Sequence, residues 1–155
     1  MNSRPAIACL VLLAWLGPAH SQPSSMNSKA GGTKTSVWSG VYTAAQANRG
    51  EKVHSTGCAM CHGPRLDGAG QPDMPSSPGI AGSMLFFKWK GQTVAALFDY
   101  VRTKMPTDNP GTLSAQDSID SIAHMFAVSE VPPGDKELPP DAAALADIVI
   151  ADKPK

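Results

Sequence analysis

The sequence is poor in cysteine, in net charge and in strand-forming patterns. It has three cysteines in 155 residues, and its 13 Lys and Arg side chains equal its 13 Asp and Glu side chains in number. A disulfide framework needs more cysteines than the two that remain once an N-terminal export segment is removed. The balanced charge excludes a strong field that would favour nucleic acid or an anionic membrane. No segment shows the alternation of a strand, so helices and loops are expected.

The N-terminus has the pattern of a secretory signal peptide. Arg4 supplies a positive charge, residues 7–16 form an apolar run, and small residues follow a Gly-Pro break. The run is too short to span a bilayer, which needs about 20 residues, and its other interpretation is a buried helix of the core. We predict a signal peptide over residues 1–21, a flexible Ser- and Gly-rich leader over residues 22–40, and no transmembrane anchor after cleavage.

Capping residues and apolar periodicity predict four helices in the exported chain. Thr43 and Ser114 each begin a capping box, and Asp141 can cap a short last helix. The predicted helices cover residues 44–56, 94–104, 115–128 and 142–150. Gly50 lies inside the first of them, where glycine costs about 1 kcal/mol relative to alanine, which suggests that another backbone packs closely there. Residues 63–82 have no periodicity and are expected to form a long loop.

The strongest chemical pattern is Cys-Ala-Met-Cys-His at residues 58–62. Cysteines three residues apart lie on one helix face, so Cys58 and Cys61 can bond both vinyl groups of one porphyrin while His62 ligates its iron. A thioredoxin-like dithiol would need a preceding strand, and here a capped helix precedes the motif. A zinc site would need a second ligand pair, which the sequence does not offer. The motif therefore predicts one covalently attached haem c.

The second axial ligand is predicted to be Met105. It precedes Pro106 at the end of the second predicted helix, where the chain must become extended and the thioether can turn towards the iron. The alternative for Met105 is a methionine that fills core space. Met74 and Met84 are assigned to the long loop, as alternative candidates for packing on the haem. The His124-Met125 pair is expected to lie at the surface and edge of its helix.

These residues resemble class I cytochrome c over residues 41–151. Besides the attachment motif, the similarity includes Pro-Gly-Ile-Ala-Gly at residues 78–82 and Met105-Pro106. The resemblance implies an all-α class I cytochrome c fold, with three main helices and a short C-terminal helix wrapped around one haem. It also implies that Met105 is the distal ligand and that the Pro78 carbonyl accepts the ring N–H of His62.

The same resemblance implies several finer contacts and a domain division. Gly50 would meet Phe126 where the first and last main helices cross. Trp89 would hydrogen-bond a haem propionate, with Trp38 as the other candidate and simple packing as the alternative. The cytochrome domain would cover residues 41–130, followed by a Pro-rich extension over residues 131–155 that ends in a short helix.

The expected function is electron transfer in a bacterial periplasm, as part of a respiratory chain, without enzymatic activity of its own. The haem pocket is expected to be lined by Leu97, Phe98, Val101, Leu113, Ile122 and Phe126. Five cations are candidates for a modest basic docking patch, with scattered solvated charge as the equal alternative: Arg65, Lys88, Lys90, Arg102 and Lys104. The extension resembles those of cytochromes that accompany periplasmic dehydrogenases, so the expected partners are redox proteins: a quinoprotein dehydrogenase, and a terminal oxidase or another cytochrome. The alternative is a haem protein with a labile sixth ligand that acts as a small-molecule sensor or a peroxidase-like enzyme.

Overall fold

A computed structural model describes residues 33–69 and 77–155. The predicted signal peptide, most of the predicted leader and residues 70–76 of the predicted loop lie outside the described residues. The α-helices are α1 (Ala44–Val53), α2 (Ala59–His62), α3 (Ser83–Trp89), α4 (Val94–Lys104), α5 (Ala115–Val128) and α6 (Ala142–Leu145). The strands are β1 (Thr35–Ser36) and β2 (Ile148–Val149), β1 is followed by a 3₁₀ helix (Val37–Ser39), and a π-helical turn (His54–Cys58) joins α1 to α2. The predicted all-α class is confirmed.

Helix starts follow the predicted caps. The Thr43 hydroxyl accepts a hydrogen bond from the Gln46 amide at 3.1 Å, and Ser114 accepts one from Asp117 at 3.0 Å. Asp141 caps α6 in the same way. Each cap provides a partner for an amide that has none within its helix. The predicted bounds of α4 and α5 are confirmed, and the first and last helices end earlier than predicted.

That first helix ends at Val53 instead of continuing to residue 56. The hydroxyls of Ser55 and Thr56 bond back to the Lys52 carbonyl at 2.9 and 3.0 Å, and Thr56 also reaches Val53. Side-chain hydroxyls that occupy helix carbonyls disturb the regular ladder. The chain widens here into the π-helical turn, in which the Ala59 amide bonds the His54 carbonyl five residues earlier.

Helices α1 and α5 cross with their backbones in close approach at Gly50. A Cβ on Gly50 would lie 1.8 Å from the Asp120 carbonyl oxygen and 2.9 Å from the His124 Cβ. The predicted reason for the glycine is therefore right, but the predicted partner Phe126 is wrong. Phe126 is instead buried against Tyr42, with ring centroids 6.3 Å apart, because it lies almost two turns beyond Asp120 along α5.

The predicted boundary at residue 130 does not separate the extension from the core. Val131, Leu138, Leu145 and Ile150 are all buried in the same core as the main helices. The last helix is also shorter than predicted, since α6 ends at Leu145. The extension is an integral part of the folded body because its apolar side chains complete that core.

The two ends of the described chain pair with each other. β1 and β2 are parallel, with Thr35 opposite Ile148 and Ser36 opposite Val149. Val37, which follows β1, is fully buried. The predicted leader therefore extends too far, because residues from 35 onward belong to the folded body. The expectation of no strand is also wrong for this pair, whose two-residue strands are too short to show alternation.

Helix α3 begins directly after the Pro-Gly-Ile-Ala-Gly segment at residues 78–82. It was not predicted from the sequence. Leu85 and Trp89, one turn apart, are its buried residues. Met84 consequently lies on a helix and not in the long loop. Within the part of the chain that the structure describes, no helix is both long and apolar enough to cross a membrane.

Candidate haem site

The attachment motif lies on the π-helical turn and the short helix α2. Cys58 ends the turn, and Cys61 and His62 end α2. Both thiols are free and half-buried. Burial, and secondarily the nearby Cys61, raises the pKa of the Cys58 thiol. A dithiol redox pair instead lowers the pKa of its attacking thiol, so this environment does not favour a thioredoxin-like pair.

A zinc site is not supported either. Across residues 33–69 and 77–155, no group of three or more His, Cys, Asp and Glu side chains could hold a metal ion by itself. The two thiols and the imidazole of the motif fit haem c, because the porphyrin supplies four ligands to its iron and the protein would supply the thioether bonds and the remaining ligands.

The His62 ring has a fixed orientation. Its Nδ1 atom lies 2.8 Å from the Pro78 carbonyl oxygen, as predicted. A carbonyl can only accept a hydrogen bond, so Nδ1 carries the proton and Nε2 keeps a lone pair. An imidazole with one nitrogen bonded to a carbonyl and the other free is the usual state of a histidine that ligates a metal. The motif residues thus fit haem c in both thiol placement and imidazole tautomer.

Two loop segments hold the Pro78 carbonyl beside His62. The Gly68 amide donates to the His62 carbonyl at 2.8 Å, and the Ile80 amide donates to the Leu66 carbonyl at 2.8 Å. Leu66 is buried, which anchors the first segment to the core. The chain after the motif therefore folds back so that residues 77–80 face the proximal side of His62.

His54 is buried next to the motif, with only 4% of its surface exposed. Its Nε2 atom lies 2.9 Å from the carbonyl oxygen of Gly63, the residue after the predicted iron ligand. The His124 ring of α5 lies against it at 5.6 Å between centroids. Burial, then the nearby His54, lowers the pKa of His124, and Glu51 opposes this shift. Neither the sequence motif nor helical periodicity pointed to this contact.

Met105 lies at the end of α4, as expected. Its backbone is extended, its amide donates to the Val101 carbonyl at 3.1 Å, and its side chain is half-buried. Met60 and Met84 are 58% and 45% exposed. Met125 is buried, so its expected surface position is wrong: α5 is covered on that side as well as on its main apolar stripe. Met74 lies outside the described residues.

The two candidate tryptophans differ in what their indole N–H groups do. Trp38 donates from Nε1 to the Ala151 carbonyl at 2.8 Å and stacks on Phe86 at 5.5 Å. Its donor is therefore used within the protein. Trp89 is 8% exposed and meets the edge of the Tyr100 ring at 5.4 Å. Its propionate contact stays a prediction, and its packing role is already visible.

The residues expected to line the haem pocket lie on α4, on α5 and in the segment between them. Four of the six are buried and the other two are half-buried. The fully buried ones are Leu97, Phe98, Ile122 and Phe126, and the half-buried ones are Val101 and Leu113. Their apolar side chains would keep water and mobile charge away from a cofactor bound against them.

The expected basic patch is partly neutralised. Arg65 pairs with Asp67 at 3.0 Å, and Lys90 pairs with Asp152. Lys88 lies over the Tyr100 ring at 4.5 Å. A field strong enough to steer partners over long distances is therefore not expected here.

Comparison with known proteins agrees with this geometry. The family model described as cytochrome C oxidase, cbb3-type, subunit III matches residues 45–125, more than half of the chain. No curated protein matches the sequence. The crystal structure of the sulfane dehydrogenase SoxCD from Paracoccus pantotrophus is similar at 19% identity and a TM-score of 0.49, over 73% of this chain. The similar region spans 61% of that protein, and the likeness is too distant to bear on function.

Proposed function

We propose that this protein transfers single electrons through an iron held by His62 and Met105. The chain belongs to the family whose model matches residues 45–125, and it is a class I c-type cytochrome, a haem-based electron-transfer protein with covalently bound haem c. The observation that carries the assignment of His62 is the 2.8 Å contact between its Nδ1 atom and the Pro78 carbonyl. It leaves Nε2 as the only ring nitrogen with a free lone pair.

Different residues of the protein would hold different parts of the haem. Cys58 and Cys61 supply the sulfur atoms of the two thioether bonds, and their separation on one helical turn sets the distance between them. When bound, haem supplies an iron that gains and loses one electron. Pro78 fixes the tautomer of His62 and makes its imidazole a stronger donor.

Met105 fits the distal ligand position for a physical reason. Its extended backbone at the end of α4 lets the side chain leave the helix direction. A thioether is a soft, weak donor, and a Met/His pair raises the reduction potential. If His62 and Met105 both bound the iron, the protein would leave it no position for a substrate, which favours electron transfer over catalysis.

We further propose that the protein works in the periplasm and receives electrons from a dehydrogenase, of the quinoprotein type, for a terminal oxidase or another cytochrome. The signal-like pattern over residues 1–21 supports export. Haem attachment through a Cys-x-x-Cys-His motif supports it too, since this attachment takes place outside the cytoplasm. Of the five cations considered for a docking patch, three are exposed and outside the ion pairs described above: Lys88, Arg102 and Lys104.

Substitution of Met105 tests the ligand assignment. We expect Met105→Ala holoprotein to lose the ferric methionine-to-iron charge-transfer band, to bind carbon monoxide and to have a lower midpoint potential, since the thioether favours ferrous iron. Met84→Ala is the matched control, because Met84 is exposed on α3, and it should keep the band.

Two results would contradict the proposal. A wild-type protein that lacks the band and binds carbon monoxide readily would support the sensor or peroxidase-like alternative. A pyridine haemochrome assay that finds no haem in exported protein would leave only a structural thiol domain.

A further inference from the structure

His54 holds both ends of the helix that carries the predicted iron ligand. Its backbone carbonyl accepts a hydrogen bond from the Ala59 amide at the start of α2. Its ring Nε2 lies 2.9 Å from the carbonyl oxygen of Gly63, the residue that caps the end of α2. His54 thus forms a hydrogen bond at each end of the segment that contains Cys61 and His62.

The ring contact is specific in its chemistry. The Gly63 carbonyl can only accept, so His54 Nε2 must carry a proton and donate it. The same carbonyl also accepts the Leu66 amide at 3.1 Å. The carbonyls at the end of a helix have no partner within it. His54 and the Leu66 amide both donate to the Gly63 carbonyl, at the point where the chain leaves α2 and turns back towards Pro78.

The position of the His54 ring is fixed by its surroundings. The side chain is 96% buried and the His124 ring of α5 packs against it at 5.6 Å. Because α5 crosses α1 at Gly50, one turn before His54, the crossing of the two helices locates the ring.

We propose that His54 is a positioning residue for the iron ligand, because its bonds to Ala59 and Gly63 fix the backbone of α2 while Pro78 fixes the ring of His62. This inference rests on the proposed function in that it takes His62 as the ligand. The backbone is held from the side of α1 and α5, and the imidazole is held from the loop at residues 77–80. Loss of the His54 donor would free the end of α2 and weaken the bond between His62 and Pro78.

A weaker bond to Pro78 has consequences that can be measured separately from folding. The Nδ1 proton of His62 would exchange faster with solvent. The imidazole would become a poorer donor, because the hydrogen bond at Nδ1 raises the basicity of the ligand. Since a more basic ligand stabilises ferric iron, the midpoint potential of the variant would rise.

The test compares three holoprotein variants. His54→Phe keeps the size and burial of the ring but removes the donor, and we expect at least a tenfold faster exchange of the His62 ring proton with a raised midpoint potential. His54→Gln places an amide donor near the position of Nε2 and should restore both values to those of the wild type. Trp38→Phe is the control for general destabilisation, since it removes one hydrogen bond, to Ala151, that involves neither α2 nor residues 77–80.

The outcomes separate the alternatives. Wild-type exchange and potential in His54→Phe, or equal changes in Trp38→Phe at equal loss of stability, would overturn the positioning role. If His54→Phe does not accumulate with haem, His54→Gln and His54→Asn are compared instead. The Asn side chain is too short to reach Gly63. Equal exchange rates of the His62 ring proton and equal midpoint potentials in these two variants would therefore overturn the proposal. Failure of the proposed function would appear already in the wild type, as absent haem or an absent methionine-to-iron band.

Discussion

The crossing of α1 and α5 at Gly50 allows a sharp test of the packing. In Gly50→Ala the new Cβ would lie 1.8 Å from the Asp120 carbonyl oxygen. Contacts below 3.0 Å are essentially never seen for a Cβ, so the helices would have to separate by at least about 1 Å. The atom that must move belongs to a helix backbone and not to the end of a flexible side chain.

Two opposing effects set the magnitude. Alanine is a better helix former than glycine by about 1 kcal/mol. Overpacking a close contact costs about 1–3 kcal/mol and more when backbone must shift. We expect the backbone overlap to dominate, so that Gly50→Ala lowers the free energy of unfolding by about 2–3 kcal/mol.

Gly57→Ala is the matched control. Gly57 is exposed in the π-helical turn, and a Cβ there would meet nothing within 4 Å. Its substitution should be neutral or should stabilise by up to about 1 kcal/mol. Denaturant unfolding of the holoproteins, followed by far-UV circular dichroism, compares the two. Our description of the crossing would be refuted if Gly50→Ala were as stable as Gly57→Ala.

Two further predictions concern the contacts that tie the C-terminal segment to α1. Gln46 is fully buried and exchanges two 2.9 Å hydrogen bonds with the Leu138 backbone. Gln46→Leu leaves both backbone groups without partners and should lower the free energy of unfolding by about 2–4 kcal/mol. An unchanged midpoint of denaturant unfolding would contradict this. The hydrogen bond from Arg49 lowers the pKa of Glu137 from its ordinary value of 4.5. The contact therefore contributes to the free energy of unfolding above pH 4.5, and this contribution is lost as the pH falls through the folded-state pKa. Glu137→Gln should therefore flatten the fall in melting temperature below pH 4.5, and an unaltered pH profile would show that the contact contributes nothing.

The parts of the fold that sequence predicts well are those with local causes. The starts of α1 and α5 follow from Thr43 and Ser114, whose hydroxyls bond amides three residues away. The end of α4 follows from Pro106, which forces the preceding Met105 into an extended conformation. In each case the cause and the effect lie within one helical turn, so that reading along the chain is enough.

The parts that sequence does not predict depend on residues far apart along the chain. β1 pairs with β2 across more than a hundred residues, with only two residues in each strand. The apolar residues of the C-terminal segment, such as Leu138 and Leu145, are separated by prolines and acidic residues and show no period. Their burial becomes clear only when α1 and α4 are in place to receive them. A domain boundary at residue 130, drawn from composition, therefore divides one core.

The candidate site shows the same division. Cys58, Cys61 and His62 form a local motif and were identified from spacing, and the bond to Pro78 was expected from family resemblance. His54 carries no comparable pattern, since one histidine on a helix is most often a packing residue. Its bond to Gly63 depends on the π-helical turn, which shifts the helix face between residues 53 and 59 and which no periodicity indicated.

These contacts give His62 three supports. Its own carbonyl accepts the Gly68 amide, its ring donates to Pro78, and the next residue, Gly63, is bonded by His54. The three partners lie at different places along the chain and act on different groups, so that both the backbone and the ring of His62 are held. A ligand held in this way changes little when the iron changes oxidation state, which suits electron transfer. A firmly held His62 is compatible with an open or a closed iron, so the distinction from an enzyme or sensor rests on Met105 as the second ligand.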